Sequence, residues 1–416
     1  MSDPVTANLT AHVVILGAGH SGGTAAALLR QYGHEGRITL IGEEPIAPYQ
    51  RPPLSKAWLK GEADADSLAL KPLEFYAEHN IDFRPSTRAV SLNRGAKTVA
   101  LSDGSQLAYD ILILATGARA IALPIPGAEL EGVMFLRTAA DAEQLKATIG
   151  PGKRLAVVGG GYIGLEVAAS GRALGAEVVV LERENRLLAR VACETLSTFF
   201  KAYHEQHGVV FELSANVEAF VGADGNGHVT GVRLGDGRAI PCDAVVVGVG
   251  ATPNDELARD CGLTTARGVV VDLEARTSDP AIFAIGDVSH RPMPIYGRMF
   301  RMESVPNALE QAKQAASAIV GRPAPPGEAP WQWSDQYDLK LQIAGYAFDV
   351  DEILVRGDPA SNKFAVFHLK GDLVQSVEAI NSPPEFMMGK QLMLGRKPVS
   401  KARLADPSIS MKEVAA

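Results

Sequence analysis

Apolar residues in this chain gather in short β-branched runs that end at glycine. HVVILG, residues 12–17, is a continuous apolar run too short for a buried helix, and it predicts a strand covered on both faces. TAAALLRQYG, from Thr24 to Gly33, predicts a helix that stops at a glycine, and RITLIG predicts a second strand. The same order returns further on. RLAVVG predicts a strand, LEVAASGRALG a helix and EVVVLE another strand. Strand–helix–strand units of this kind build parallel sheets with helices on their faces, an α/β class.

Between strand and helix, both units place the same glycine pattern. Gly17, Gly19 and Gly22 fit G-x-G-x-x-G, and Gly159, Gly161 and Gly164 repeat it with Gly160 as an extra. Glycines there let the backbone approach a pyrophosphate, and the helix N-terminus offers free N–H groups and a positive dipole. Each following strand runs into an acid, Glu43 in the first unit and Glu182 in the second, near the spacing of a carboxylate that takes an adenosine ribose. Glu182 would accept hydrogen bonds from a free 2′-hydroxyl and repel a 2′-phosphate, which favours NADH over NADPH. Arg183, Arg186 and Arg190 follow closely and weaken that preference. A lone glycine turn can be merely a tight connection; two copies, each with strand, helix and acid, point to two dinucleotides. FAD and a nicotinamide nucleotide are the natural pair.

Composition narrows the field. With 416 residues, 46% of them apolar, the chain is long enough for two or three domains. A net charge of −8 argues against broad nucleic-acid binding. No apolar run reaches the length of a membrane span, and the first residues show no basic region or cleavage site of a signal peptide. Cys193, Cys242 and Cys261 are widely spaced, so a redox disulfide, a zinc site and an iron–sulfur cluster are not expected, and plain thiols fit a reducing cytoplasm.

Further segments carry a family resemblance: RPPLSK (51–56), ILATGAR (113–119), GVGATPN (248–254), TSDPAIFAIGDV (277–288), SVPNALEQA (304–312) and WQWSDQY (331–337). With the two turns, the chain resembles the FAD-dependent NADH–ferredoxin reductases of bacterial oxygenase systems, whose relatives include the rubredoxin, putidaredoxin and biphenyl-dioxygenase reductases. The resemblance spans nearly the whole chain. It implies two Rossmann-like, glutathione-reductase-type domains plus a C-terminal α+β domain covering the flavin. By the resemblance, residues 1–116 and 250–328 form a split FAD-binding domain. Residues 117–249 form the NADH-binding domain and 329–416 the C-terminal domain, reached through the Pro-rich GRPAPPGEAPW.

The resemblance also implies roles for residues. FAD would meet Gly17, Gly19, Ser21, Gly22, Glu43, Arg51, Lys56, a backbone group of Val90, Ala115, Thr116, Gly117, Arg137, Asp287 and a backbone donor at Val305. NADH would meet Gly159, Gly161, Tyr162, Ile163, Gly164, Glu182 and Gly250. Lys56, on a loop stiffened by two prolines, is expected to pair with Glu166 and stabilise the reduced flavin's negative charge. Independently, Asp287 follows Gly286 at the end of an apolar run, where open α/β sheets bind ligands.

Hydride transfer needs stacking and orientation more than acid–base groups. The first helix, GTAAALLR, lacks the cysteine pair of disulfide reductases, and APYQRPP lacks the single cysteine of the peroxide-forming relatives. The implied acceptor is a [2Fe–2S] ferredoxin. Trp333 is a candidate beside the flavin or a core anchor, and Arg298, Arg301, Lys313 and Lys340 are candidates for a docking face, with Gln342 where some relatives carry lysine. A reductase of a small acceptor, of quinone or monodehydroascorbate type, and an NADH-sensing flavoprotein stay open, as does a monomer or weak homodimer.

Overall fold

The computed structural model describes residues 8–223 and 227–415, and the reading of the extreme N-terminus falls partly outside them. The described residues form two compact units. One takes the segments up to residue 50, 65–119 and 253–332; the other takes 51–64, 120–252 and 333 onward.

In the first unit, five parallel strands lie in the order Ile282–Ala284, Ile111–Leu114, Val13–Leu16, Ile38–Ile41, Ile81–Arg84. All four residues of Val13–Leu16 are buried, as a strand covered on both faces requires. Because the sheet is parallel, the carboxyl ends of three neighbouring strands bring Gly17, Ala115 and Ile285 to one edge. The chain order reverses on either side of Val13–Leu16, which is where open α/β sheets open a crevice.

The helices begin earlier than the apolar pattern suggests. His20–Gln31 starts directly after Gly19, and Tyr162–Ala173 directly after Gly161. The third glycine of each turn is therefore a residue of the first helical turn. Sequence periodicity begins only where bulky apolar residues do, so it misses this turn.

Helix Val305–Val320 packs its alanine face, Ala308, Ala312, Ala315 and Ala316, toward the core shared with Ala25, Ala26 and Leu29 of the first helix. Ser304 caps it, its hydroxyl accepting from the Asn307 N–H, and Pro306 sits in the first turn. Inside this unit Arg291 donates to Glu310 at 2.9 and 3.3 Å and to Asn307 Oδ1 at 3.0 Å. Glu310 also accepts from Gln314 at 3.2 Å.

The second unit contains a second parallel sheet, ordered Val209–Leu213, Glu177–Glu182, Arg154–Val158, Ala244–Val247, Val133–Met134. It also contains a C-terminal sheet ordered Trp331–Gln336, Leu339–Gly345, Leu373–Ile380, Lys363–Lys370, Glu352–Asp358, whose last four strands pair antiparallel. Residues 322–330 form no element, in keeping with a Pro-rich connection. The Met-rich segment lies in helix Pro383–Gly395, where Phe386, Leu392 and Met393 are buried, a packing role for the methionine. Leu339, Leu341, Ile343, Phe364 and Val366 of the C-terminal sheet share one core with Leu196 and Phe200 of helix Glu194–Gln206. Two small antiparallel sheets, one built on Ala89–Asn93 and one on Val217–Gly222, are not announced by the sequence pattern.

Arg291→Met leaves Glu310 buried without a cation and should cost about 3–5 kcal/mol. The double variant Arg291→Met/Glu310→Met should recover most of that loss. Urea melts followed by circular dichroism check it; a single variant as stable as the parent would show the pair to be inert.

Candidate functional site: two dinucleotide turns

The two glycine turns have the same local geometry. Gly17 has φ +112° and Gly159 φ +110°, a backbone conformation that L side chains rarely adopt. An added Cβ at Gly17 would stand 2.2 Å from the Ala115 carbonyl oxygen, and one at Gly159 2.5 Å from that of Gly248. At the third glycine the collision is with the turn itself. A Cβ on Gly22 would lie 1.9 Å from the Gly17 oxygen, and one on Gly164 2.0 Å from the Gly159 oxygen. The middle glycines differ. A Cβ on Gly19 or Gly161 meets no atom within 4 Å. In both turns the outer glycines are required by the chain's own packing and the middle one faces open space at a helix N-terminus. That is the arrangement a pyrophosphate needs for close approach to free N–H groups.

Around the first turn, Ser21 is buried in the first helical turn, and a Cβ on Gly286 would meet its hydroxyl at 2.7 Å. Gly286 (φ +76°) opens a single 3₁₀ turn, Gly286–Val288, so the half-buried Asp287 sits beside the helix start. Gln311 Oε1 holds this turn in place, accepting from the Gly286 N–H and the Ser289 hydroxyl, both at 2.8 Å. Thr116 donates to the Asn254 carbonyl at 2.7 Å, and Asn254 Nδ2 returns a bond to the Thr116 carbonyl at 2.8 Å. The Asn254 N–H bonds the carbonyl of Gly117 at 2.9 Å. Glu43 is exposed just beyond its strand. Val90 lies where the small sheet's register shifts between Ala89 and Ser91, so it is skipped by the ladder. Val305 opens helix Val305–Val320. All of these belong to the first unit.

Arg51, Lys56 and Arg137 belong to the second unit. Arg51 donates through Nη1 to the Arg137 carbonyl. Arg137 is fixed from its other side by its N–H on Asp141 at 2.9 Å, and Asp141 closes a capping box with Thr138. Lys56 Nζ lies 2.6 Å from Glu166 Oε2 and 3.2 Å from the Pro52 carbonyl. Glu166 is only 5% exposed. Its carboxylate also accepts from Ser55 at 2.5 Å and Ser334 at 2.6 Å. Three donors saturate a charge that burial alone would make costly. Trp333, half-buried, stands next to Ser334 on the strand Trp331–Gln336.

At the second turn the carboxylate of Glu182 is already engaged. It accepts from the Gly160 N–H at 2.6 Å and the Glu184 N–H at 2.8 Å, which sets its direction at the end of its strand. Tyr162 donates through its hydroxyl to the Val191 carbonyl at 3.0 Å, while Ile163 is half exposed on the helix's first turn. Gly250 (φ +126°) accepts through its carbonyl from the Ile121 N–H at 3.0 Å.

The sequence pattern did not single out Gln311, Asn254, Ser55 or Ser334. The last two lie inside RPPLSK and WQWSDQY, but their meeting on one carboxylate requires the fold. The proposed docking cations are not all free. Lys313 lies 3.7 Å from Glu328, and Arg301 is bound to Glu303. Arg298, Arg301 and Lys313 belong to the first unit and Lys340 to the second.

All three cysteines are free thiols. Burial pushes Cys193 and Cys242 up to about 12, with Glu378 adding to the effect at Cys193, and burial also raises Cys261. A reactive thiol needs the opposite shift. Burial raises Asp255 as well, against the pull of Arg259. No helix among the described residues is long and apolar enough to cross a membrane.

Comparison with known proteins agrees with this geometry. Residues 11–312 match the model of the pyridine nucleotide-disulphide oxidoreductases, and residues 331–415 match that of the reductase C-terminal module. A probable ferredoxin reductase of Castellaniella defragrans is 51% identical over 98% of this chain and 100% of its own length. The rhodocoxin reductase of Rhodococcus erythropolis is 42% identical, over 96% of this chain and 93% of its own. Among solved structures, the reductase in the covalent putidaredoxin reductase–putidaredoxin complex superposes with a TM-score of 0.95 at 40% identity, covering 98% of both chains. The chain therefore belongs to the pyridine nucleotide-disulphide oxidoreductase family and, within it, to the FAD- and NAD(H)-using ferredoxin reductases.

Proposed function

We propose that this protein uses NADH to reduce a [2Fe–2S] ferredoxin that feeds an oxygenase, of haem-thiolate monooxygenase or dioxygenase type. The observation that carries the reading is the duplicated turn, each copy with a middle glycine open to a pyrophosphate at the carboxyl edge of its own parallel sheet. The names of the relatives point the same way: a rhodocoxin reductase and a putidaredoxin reductase captured with putidaredoxin. The chemistry FAD supplies when bound is the conversion of NADH's electron pair into single-electron deliveries.

We assign residues 1–116 and 250–328 to FAD, 117–249 to NADH, and 329–416 to a C-terminal α+β module. In the first, Gly19, Ser21 and the N-terminus of helix His20–Gln31 would hold the pyrophosphate, Glu43 the ribose, and Asp287 the ribityl end. In the second, Gly161 would admit the NADH pyrophosphate and Glu182 would take the ribose. Lys56 is the cation we assign to the flavin. Glu166 holds its ammonium in one place, and Ser55 and Ser334 hold Glu166. A charge fixed this way needs no reorganisation when negative charge develops nearby. We further propose a cytoplasmic protein without nucleic-acid partners, monomeric or weakly dimeric; the three free thiols suit a reducing compartment.

The direct test is NADH-driven cytochrome c reduction with and without added [2Fe–2S] ferredoxin, with ferricyanide as control acceptor. A steep rise with ferredoxin is expected. Ferricyanide reduction unaltered by several ferredoxins would remove the carrier from the assignment.

Gly161→Ala separates nucleotide binding from folding. Gly161 has φ −82° and ψ −176°, open to any residue, and its Cβ would meet no protein atom. The melting temperature should stay put while KM for NADH rises at least about tenfold. An unchanged KM would show that no phosphate passes this glycine. Lys56→Met should slow NADH-dependent ferricyanide reduction about 10²-fold. Because it strands Glu166, Lys56→Met/Glu166→Gln serves as the stability-matched partner. If both turn over like the parent, Lys56 has no part in electron uptake.

A further inference from the structure

Away from both turns, three chemically active side chains meet inside the second unit. Cys193 is the residue before helix Glu194–Gln206, and His368 and Glu378 sit on the neighbouring strands Lys363–Lys370 and Leu373–Ile380. The register pairs Val366 with Glu378 and His368 with Ser376, so His368 and Glu378 are diagonal neighbours on one face of the sheet. Their exposures are 8% for Cys193, 2% for His368 and 3% for Glu378. A sulfur, a ring nitrogen and a carboxylate oxygen all lie within 4.8 Å of one another.

Two features of this cluster are unexplained by packing. Neither ring nitrogen of His368 makes a hydrogen bond among the described residues, although the ring is buried. Buried imidazoles normally find a partner. Among the described residues, no lysine or arginine forms an ion pair with Glu378. Its contacts are the Cys193 N–H at 3.2 and 3.3 Å, the Cys193 thiol and His368 Nε2 at 3.4 Å. That last separation is long for a hydrogen bond. It is close to the edge of about 3.3 Å that separates nitrogen and oxygen ligands on one tetrahedral zinc ion.

We propose that Cys193, His368 and Glu378 form a structural site for a divalent transition ion of borderline softness, zinc above all. Thiolate, imidazole and carboxylate are the donors that zinc takes, and a carboxylate using both oxygens completes four donor atoms. The ion's two positive charges balance the thiolate and the carboxylate, so the buried cluster becomes neutral. It would also tie the C-terminal sheet to helix Glu194–Gln206 at the edge of their shared core. The ligands are far apart in the chain and follow no spacing motif, which is why the sequence alone predicts no zinc.

The untagged full-length holoprotein, loaded with zinc chloride and desalted, should retain one zinc per chain by ICP-MS. Cys193→Ala and Glu378→Gln should each retain at least about tenfold less, with flavin absorption unchanged. Cobalt loading of the parent gives a readout that needs no variant: a thiolate-to-cobalt charge-transfer band in the difference spectrum against the cobalt-free holoprotein. No retained zinc, equal retention by parent and variants, or cobalt bound without that band would each overturn the site.

Discussion

The arrangement of this protein depends on one close approach made twice. The third glycine of each turn lies against the carbonyl of the first, so near that a methyl group would overlap the oxygen at about half its contact distance. Only that approach lets a helix start directly off the end of a central strand, with its first N–H groups aimed over the sheet's carboxyl edge. The other groups at the first turn are fitted to that constraint. Gln311 holds the Gly286 turn against Ser21, and the alanine face of helix Val305–Val320 lets the Gln311 helix pack close to the first helix. The mutual bonds of Thr116 and Asn254 fix the neighbouring strand exit.

Much of this was legible because close packing leaves marks in composition. A glycine that must have no side chain appears as a glycine, and a strand covered on both faces appears as VVIL or LAVV. The helix starts are hidden from the apolar pattern for the same reason. Gly22, Gly23 and Gly164 lie in first helical turns but carry no apolar side chain for periodicity to detect. The pairing of Lys56 with Glu166 is legible in the sequence only through the family resemblance taken with the helix position of the glutamate. That Ser334, 168 residues away, should cap the same carboxylate has no local signature, since it follows from how the C-terminal sheet meets helix Tyr162–Ala173. The small sheets escaped notice because strands such as Ala89–Asn93 are half exposed and short.

The family name includes a disulphide, yet this chain keeps three separate thiols, the two most buried pushed up to about 12. Electron flow through a cysteine pair would need a thiolate near the glycine turn, and helix His20–Gln31 contains no cysteine. The second unit holds instead a lysine with a fixed counter-charge, Lys56 on Glu166. The shared scaffold thus carries the two glycine turns, while the chemistry beside them need not include a thiol pair.

Among the described residues three glutamates are almost wholly buried, and comparing them isolates the unusual one. Glu310 is met by the guanidinium of Arg291, and Glu166 by the ammonium of Lys56 with two hydroxyls. Each has a permanent cation at 2.9 Å or less, as a carboxylate removed from water requires. Glu378, the least exposed of the three, has the backbone N–H and the thiol of Cys193, and an imidazole held slightly too far for a hydrogen bond. The fold that solves the same electrostatic problem twice with a basic side chain supplies none here, and places a thiol where a third ligand would stand. An ion held by the thiolate, imidazole and carboxylate would supply the positive charge that the fold does not.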